Sequence, residues 1–260
     1  MNIVVCLKQV PDTQDIKWTD KGTMIREGVE SVTNPCDEYA LEFALKIKDT
    51  IPSAKITVVS MGPPQAEKML RTAVAKGADC AVLATDKKFS GADTQATSLT
   101  LAHTIKNMVK DYDLIICGQF ASDGDTAQTG PALAHHLGLE QITYVSEFIE
   151  ITQDKITVQK EIPEGTYTIQ SPLPLLICVA QSECTPRHFT IKGYINSYSA
   201  DVKSADKETI NISEEVIGFK GSPTCVAKTF TPDYNRKREV LSADSMEELC
   251  NLILEKVKID

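Results

Sequence analysis

The sequence predicts an α/β protein: a doubly wound, mostly parallel sheet with helices on both faces, an added antiparallel ribbon and a C-terminal arm. Three observations carry that expectation. Five apolar runs within residues 1–180 are nearly continuous rather than alternating, so each reads as a strand buried on both faces. The segments between them repeat apolar residues at spacings of three and four, which places each set on one helix face. From Ile142 to Gln170 the pattern changes to alternation, the mark of antiparallel strands with one wet face.

Taken in order, Ile3 to Leu7 is the first strand. Asn34 followed by Pro35 reads as an N-cap and first-turn proline, opening a helix whose stripe is Ala40, Phe43, Ala44 and Ile47. Ile56 to Val59 is the second strand, and the stripe Ala66, Met69, Leu70, Ala73, Val74 is a helix that stops at Gly77. Cys80 to Leu83 is the third strand; Leu101, Ile105, Met108 and Val109 share the face of the helix after it. Leu114 to Cys117 is the fourth, followed by a helix containing Ala132 to Leu137 that ends at Gly138. Alternation at Ile156, Val158, Tyr167 and Ile169, around the turn-forming Pro163-Glu164-Gly165, gives the ribbon, and Leu175 to Val179 is the fifth buried strand. A βαβ alternation of this kind implies right-handed crossovers.

Beyond Cys184, about sixty residues lack an apolar pattern dense enough for a core of their own. Such a segment either wraps its own domain or embraces a second subunit. It ends in a helix stripe, Met246, Leu249, Cys250, Ile253 and Val257, introduced by a capping box at Ser245 and Glu248. The expected division is therefore residues 1–184 as a nucleotide-binding α/β domain and 185–260 as a docking loop and arm.

Lys plus Arg is 27 against 36 Asp plus Glu, a formal charge of −9, which gives no general attraction for nucleic acid or anionic lipid. No apolar run approaches the roughly 18 residues needed to insert in a membrane, and no basic leader precedes the first strand, so a cytoplasmic location is expected. The eight cysteines form no C-x-x-C pair and several lie in apolar runs, where Cys acts as a small hydrophobe; no metal site is expected. His103, His135 and His136 read as surface or satisfied core, and His188 as an interface residue. Hydrolytic and P-loop signatures are missing, as is G-x-G-x-x-G, so no catalytic acid, base or nucleophile is assigned and the chemistry is expected to belong to a cofactor.

The most informative stretch runs from Cys117 to Gly130, between a buried strand and a helix, at the sheet edge where doubly wound folds bind ligands. Its small residues let a ligand approach the backbone, and free N–H groups at the helix start attract phosphate. Asp123 and Asp125 suit ribose hydroxyls or turn N–H groups rather than phosphate. Lys8 to Thr13, Ser60 to Pro64 and Gly91 to Ser98 should open toward the same crevice.

Val10-Pro11-Asp12-Thr13, Asn34-Pro35-Cys36-Asp37-Glu38, Val59-Ser60-Met61-Gly62-Pro63-Pro64, Leu70-Arg71-Thr72-Ala73 and Asp123-Gly124-Asp125-Thr126, in this order, make the sequence resemble the β subunit of electron-transfer flavoproteins over essentially its whole length. Thr185-Pro186-Arg187 and Gly221-Ser222-Pro223-Thr224 extend the match. The resemblance implies a heterodimer with a flavin-carrying α subunit, on which the C-terminal arm packs. Lys8-Gln9-Val10-Pro11-Asp12, Met61-Gly62-Pro63-Pro64 and Gly91 to Ser98 look like the bifurcating group, whose β subunit holds an FAD that takes hydride from NADH. Electrons would pass to ferredoxin or flavodoxin and, through the α-subunit FAD, to an acyl-CoA dehydrogenase or reductase. The alternative is a non-redox β subunit holding AMP in a one-FAD carrier; a stand-alone adenine-nucleotide sensor is a third.

By the same resemblance, Cys6, Asn34, Pro35, Cys36, Asp37, Met61, Gly118, Gln119, Phe120, Ala121, Ser122, Asp123, Gly124, Asp125, Thr126, Ala127, Gln128 and Thr129 would line the adenylate part of the site. Asp93, Thr94 and Thr97 would hold the rest of FAD. Arg187 and Ile191 would belong to the loop that docks partner dehydrogenases, Ile191 as its hydrophobic anchor. The chain departs from the family where Gln119 to Ser122 replaces a basic residue followed by Gln-Ala-Ile, where Cys36 replaces an aromatic residue, and where Asn196 to Ala200 replaces a lysine-rich run. The last change implies an unusual choice of partner.

Overall fold

The computed structural model describes residues 1–12, 31–181, 184–227 and 240–256. Thr13 and Val257, named above, lie outside them. The elements are β1 (Asn2–Cys6), β2 (Gln9–Pro11), β3 (Ser31–Thr33), α1 (Pro35–Thr50), β4 (Lys55–Met61), α2 (Glu67–Lys76), β5 (Cys80–Ala84), α3 (Thr94–Thr104), β6 (Leu114–Gly118), α4 (Thr129–Leu137), β7 (Glu140–Ile151), β8 (Lys155–Ile162), β9 (Gly165–Pro172), β10 (Leu175–Val179), α5 (Ile191–Tyr198), β11 (Val202–Ala205) and α6 (Met246–Lys256).

The main sheet has nine strands in the order β11-β5-β4-β1-β6-β10-β7-β8-β9. All neighbours from β11 to β7 run parallel, and β7–β8 and β8–β9 are antiparallel. This is the expected doubly wound sheet: all five continuous apolar runs are inner strands, and every residue of β10 is buried. β2 and β3 form a separate antiparallel pair.

Alternate residues of these five strands feed two cores. Ile3, Val5, Ile56, Val58 and Ile116 meet Ala40, Leu41, Ala44 and Ile47 of α1 and Leu70 of α2 on one face. Val4, Val59, Ile115 and Leu176 meet Leu101 and Ile105 after the start of α3, and Leu133 of α4, on the other. Helices stop where glycine can take a backbone that other residues resist: Gly77 closes α2 at φ 131° and Gly138 closes α4 in the left-handed region at φ 69°.

The ribbon is added to the parallel sheet as expected: β7 pairs parallel with β10 before running antiparallel to β8, and the register shifts where Tyr144 takes φ 58°. Part of the chain after Cys184 wraps its own domain, one of the two courses open to it from the sequence. β11 adds to the sheet edge beside β5, and Ile210, Ile212 and Ile217 enter the second core, so residues Met1–Ala227 form one compact unit and Lys228–Asp260 a second. In the second unit, α6 starts at the expected cap: Ser245 Oγ accepts from Glu248 N at 3.2 Å, while the Glu248 carboxylate reaches Asp244 N rather than Ser245 N. No helix among the described residues is long and apolar enough to cross a membrane.

Ile210 is fully buried although it lies in the stretch that the sequence left without a core. Ile210→Ala is expected to cost about 2–5 kcal/mol, the range for truncating a packed aliphatic side chain. Chemical denaturation of the purified protein checks this, and a loss below about 0.5 kcal/mol, the size of an ordinary surface change, would mean that the segment contributes nothing to the core.

Candidate functional site

The carboxyl ends of β1, β4 and β6 converge on one edge of the sheet, and the loops that leave them are built around the start of α1. Asn34 is 1% exposed and occupies the N-cap position, yet its side chain does not cap the helix. Its Nδ2 donates to Phe120 O at 2.8 Å and its Oδ1 accepts from Ser122 N at 3.0 Å, so it fastens the loop after β6. Its backbone N–H donates to Lys8 O at 2.8 Å, joining the loop after β1.

Asp37 completes the junction. Its carboxylate accepts from Lys8 N at 2.7 Å and also from the Gly118 N–H and the Asn34 side chain. Gly118 is required here: a Cβ at this position would lie 2.2 Å from Asp37 Oδ1 and 2.8 Å from the Cys36 carbonyl carbon. Burial raises the Asp37 pKa from an ordinary 3.8 to about 7, against the opposing pull of those hydrogen bonds and of the Lys8 charge. Cys36, beside it, is buried, and burial pushes its thiol up as well.

Ala121 O accepts from Gly124 N and Asp125 N, which folds Phe120 to Asp125 into a compact turn. Asp125 and Ala127 both take positive φ, 50° and 54°, a costly conformation outside glycine. The Asp123 carboxylate pairs with Lys8 Nζ, so the positive charge that the loop after β6 lacks in sequence arrives from the end of β1. Gln128 precedes α4 without a side-chain cap, so the N–H groups at the helix start receive nothing from its side chain. Gly130 lets that start approach the sheet, since a Cβ there would be 2.3 Å from Cys178 Sγ. Thr94 Oγ1 lies 3.5 Å from Thr126 Oγ1, so α3 opens at the same edge, with half-buried Thr97 one turn on.

Three of the site residues named from the sequence point elsewhere. The carboxylate of Asp93 caps α3 through Ala96 N at 3.0 Å and holds Thr224 through its N–H at 3.0 Å and its hydroxyl at 2.7 Å. Gln119 turns into the sheet, where Oε1 accepts from Tyr144 N at 2.7 Å. Cys6 is hydrogen-bonded to Cys117, and both lie with Cys178 beneath the loops; that bond and burial raise the Cys117 thiol, and burial takes Cys178 to about 12. Met61 ends β4 half-buried, where Gly62 N donates to Ala84 O at 3.0 Å. Among the described residues no group of His, Cys, Asp or Glu is placed to hold a metal ion.

Away from the loops, Ile191 is 82% exposed at the first turn of α5. Arg187 is folded back on α1, donating to both oxygens of buried Glu42, Nε to Oε2 and NH2 to Oε1 at 2.9 Å each, and paired with Asp49 at 2.6 Å. These carboxylates and Lys8 escaped the sequence reading because their roles depend on partners far along the chain. The same holds for a cavity of about 390 Å³ lined by Gln119, Gln128, Thr143, Tyr144 and Lys160 among others.

This edge gathers the starts of α1 and α4, neither with a side-chain cap from its own N-cap residue, positive-φ turns and loops from three parallel strands. Residues 21–213 match the electron transfer flavoprotein domain. The chain belongs to the electron transfer flavoprotein family. It is 43% identical to the electron transfer flavoprotein subunit beta of Clostridium acetobutylicum over 99% of this chain and 98% of that protein. It is 42% identical to the caffeyl-CoA reductase-Etf complex subunit CarD of Acetobacterium woodii, over the same shares. Identity to the acryloyl-CoA reductase electron transfer subunit gamma of Anaerotignum propionicum is 37%, over 97% of each chain. Within this family, the β-subunit resemblance read from the motifs holds across the length of the chain.

Gly118→Ala is expected to destabilise the protein by about 1–3 kcal/mol, because the new methyl meets backbone that is already packed; thermal denaturation checks it. For Asp37 the sign follows from the folded value lying above the unfolded one. Its contribution to stability is full below pH about 4 and falls as the pH rises to about 7, because the folded state then holds a proton that the unfolded chain has lost. Asp37→Asn is expected to flatten that part of the stability profile, read as the difference between the two proteins' denaturation curves across the same window.

Proposed function

We propose that the chain is the β subunit of a bifurcating electron-transfer flavoprotein, in a cytoplasmic heterodimer with a flavin-carrying α subunit. The observation that carries this reading is that relatives spanning the whole chain are named as parts of a caffeyl-CoA reductase complex and an acryloyl-CoA reductase. FAD bound here would supply the redox chemistry, taking hydride from NADH and passing one electron to ferredoxin or flavodoxin and the other, through the α-subunit FAD, to an acyl-CoA dehydrogenase or reductase.

The protein's own residues bind and orient. The N–H groups of Thr129 and Gly130 receive a phosphate; the turn that Asn34 holds through Phe120 and Ser122 shapes the adenylate pocket; Thr94 and Thr97 present hydroxyls from α3. Ile191 and the side chains around it offer an apolar face to a partner dehydrogenase, and α6, none of whose residues is buried, provides an amphipathic surface for the α subunit. With a formal charge of −9 the chain suits neither nucleic acid nor anionic membrane.

One observation favours a second reading. Asp93, expected to hold the far part of FAD, has both carboxylate oxygens engaged by Ala96 and Thr224. A site that uses Asp93 for its own architecture suits AMP in a one-FAD carrier. Nucleotides released by denaturing the co-purified heterodimer separate the two. Two FAD and no AMP per heterodimer is the expected count; one FAD with one AMP would assign this subunit a structural nucleotide instead.

A further inference from the structure

Helix α5 shows solvent a face of Phe189, Ile191, Tyr194, Ile195 and Tyr198, all exposed. The rings are ordered among themselves: Phe189 stacks on Tyr194 and Tyr194 meets Tyr198 edge-on, each at 5.2 Å between ring centres, with the two tyrosine hydroxyls 2.8 Å apart. A helix of eight residues does not persist on its own, and this one has no basic residue in its last turn to meet the negative end of its dipole.

Helix α2 supplies what is missing. Arg71 NH1 donates to Ser197 O at 2.7 Å, Tyr198 O at 3.2 Å and Ala200 O at 3.0 Å, while its Nε is fixed by Glu67 at 2.8 Å. The guanidinium thus adds a donor to two carbonyls at the end of α5 and one just beyond it, and places a positive charge at its C-terminal end. The same two helices touch at Gly193, where a Cβ would lie 2.2 Å from Ala75 O, so the backbone of α5 sits directly on α2. At its other end, Thr190 Oγ1 accepts from Gly193 N at 3.0 Å.

We propose that Arg71 is a positioning residue for partner docking: from α2, by capping α5, it sets the pose of the Phe189 to Tyr198 face that a partner dehydrogenase engages. This rests on the docking reading of Ile191 given above. Lysine, a single point charge, does not span three carbonyls as the planar guanidinium does. Its pre-organisation of the face reduces the ordering that binding would otherwise require.

The test uses the complete heterodimer and an acyl-CoA dehydrogenase that the unaltered heterodimer reduces. Three variants are compared, Arg71→Gln, Arg71→Lys and Ile191→Asp, by the KM for the dehydrogenase, by kcat at saturating dehydrogenase, and by amide hydrogen exchange across residues 191–200. Arg71→Gln is expected to speed exchange in α5 and raise KM about tenfold, the effect of un-fixing a rigid anchor, with kcat within about twofold. Arg71→Lys should fall between it and the unaltered protein. An unchanged KM in both Arg71 variants overturns the proposal, as does a fall in kcat without a rise in KM. If Ile191→Asp raises KM while the Arg71 variants do not, only the role of Arg71 fails. If Ile191→Asp also leaves KM unchanged, the docking reading fails with it.

Discussion

A buried carboxylate holds the functional edge of this protein together. Asp37, 6% exposed, sits where the end of β1, the start of α1 and the end of β6 meet, and it accepts hydrogen bonds from the Lys8 and Gly118 backbones. Three segments from distant parts of the chain are thereby brought to one point, and the absence of a side chain at residue 118 is what lets them come so close. Asn34 extends the junction by one more loop, binding Phe120 and Ser122 with the amide that would otherwise cap α1. The helix gives up a local cap, and the loop after β6 gains a fixed shape. Burying a carboxyl group is costly unless its oxygens are satisfied, which is why the junction is so fully hydrogen-bonded and why its acid titrates so high.

Charge is handled in pairs rather than in patches. Lys8 meets Asp123, and Arg187 meets Glu42 and Asp49. Asp123 and Glu42 are largely withdrawn from water, so those two pairs fix geometry more than they add stability. For Arg187 this means that the motif Thr185-Pro186-Arg187 anchors the segment leading into α5 to α1, and the exposed apolar residues after it are free to face outward. Helix α2 then links two regions distant in sequence: its first turn follows Met61-Gly62-Pro63 after β4, and its later residues seat α5.

A similar connection joins the start of α3 to the last residues of the first compact unit. Asp93 opens α3 and holds Thr224, while Ser222 Oγ accepts from Asp93 N at 2.8 Å and donates to Gly218 O at 2.6 Å. Gly218 and Gly221 are pressed against backbone, where a Cβ would approach within 1.9 and 2.0 Å respectively, so the Gly-Ser-Pro-Thr stretch follows one path over the start of α3. A residue that the motif suggests as a cofactor ligand is in this structure the anchor of a return segment.

The sequence alone determined the architecture, because continuous and alternating apolar runs report directly whether one or both faces of an element are buried. The five doubly buried strands, the helix faces and the stops at Gly77 and Gly138 could be read from it, as could the loops that gather at one edge, since strand direction in a parallel sheet puts them there. It could not place β11, whose four residues are too few for any period, or show that Ile210, Ile212 and Ile217 belong to a core built by other segments. Nor could it choose partners for polar side chains. Asn34 looked like a cap and Asp93 like a ligand, while Arg71 was one member of a motif with no partner assigned. Their hydrogen bonds span 86 to 131 positions of sequence and exist only because backbone from elsewhere arrives within reach. Periodicity is a local property of the chain, whereas the partner of a polar group is decided by the packing that brings distant segments together.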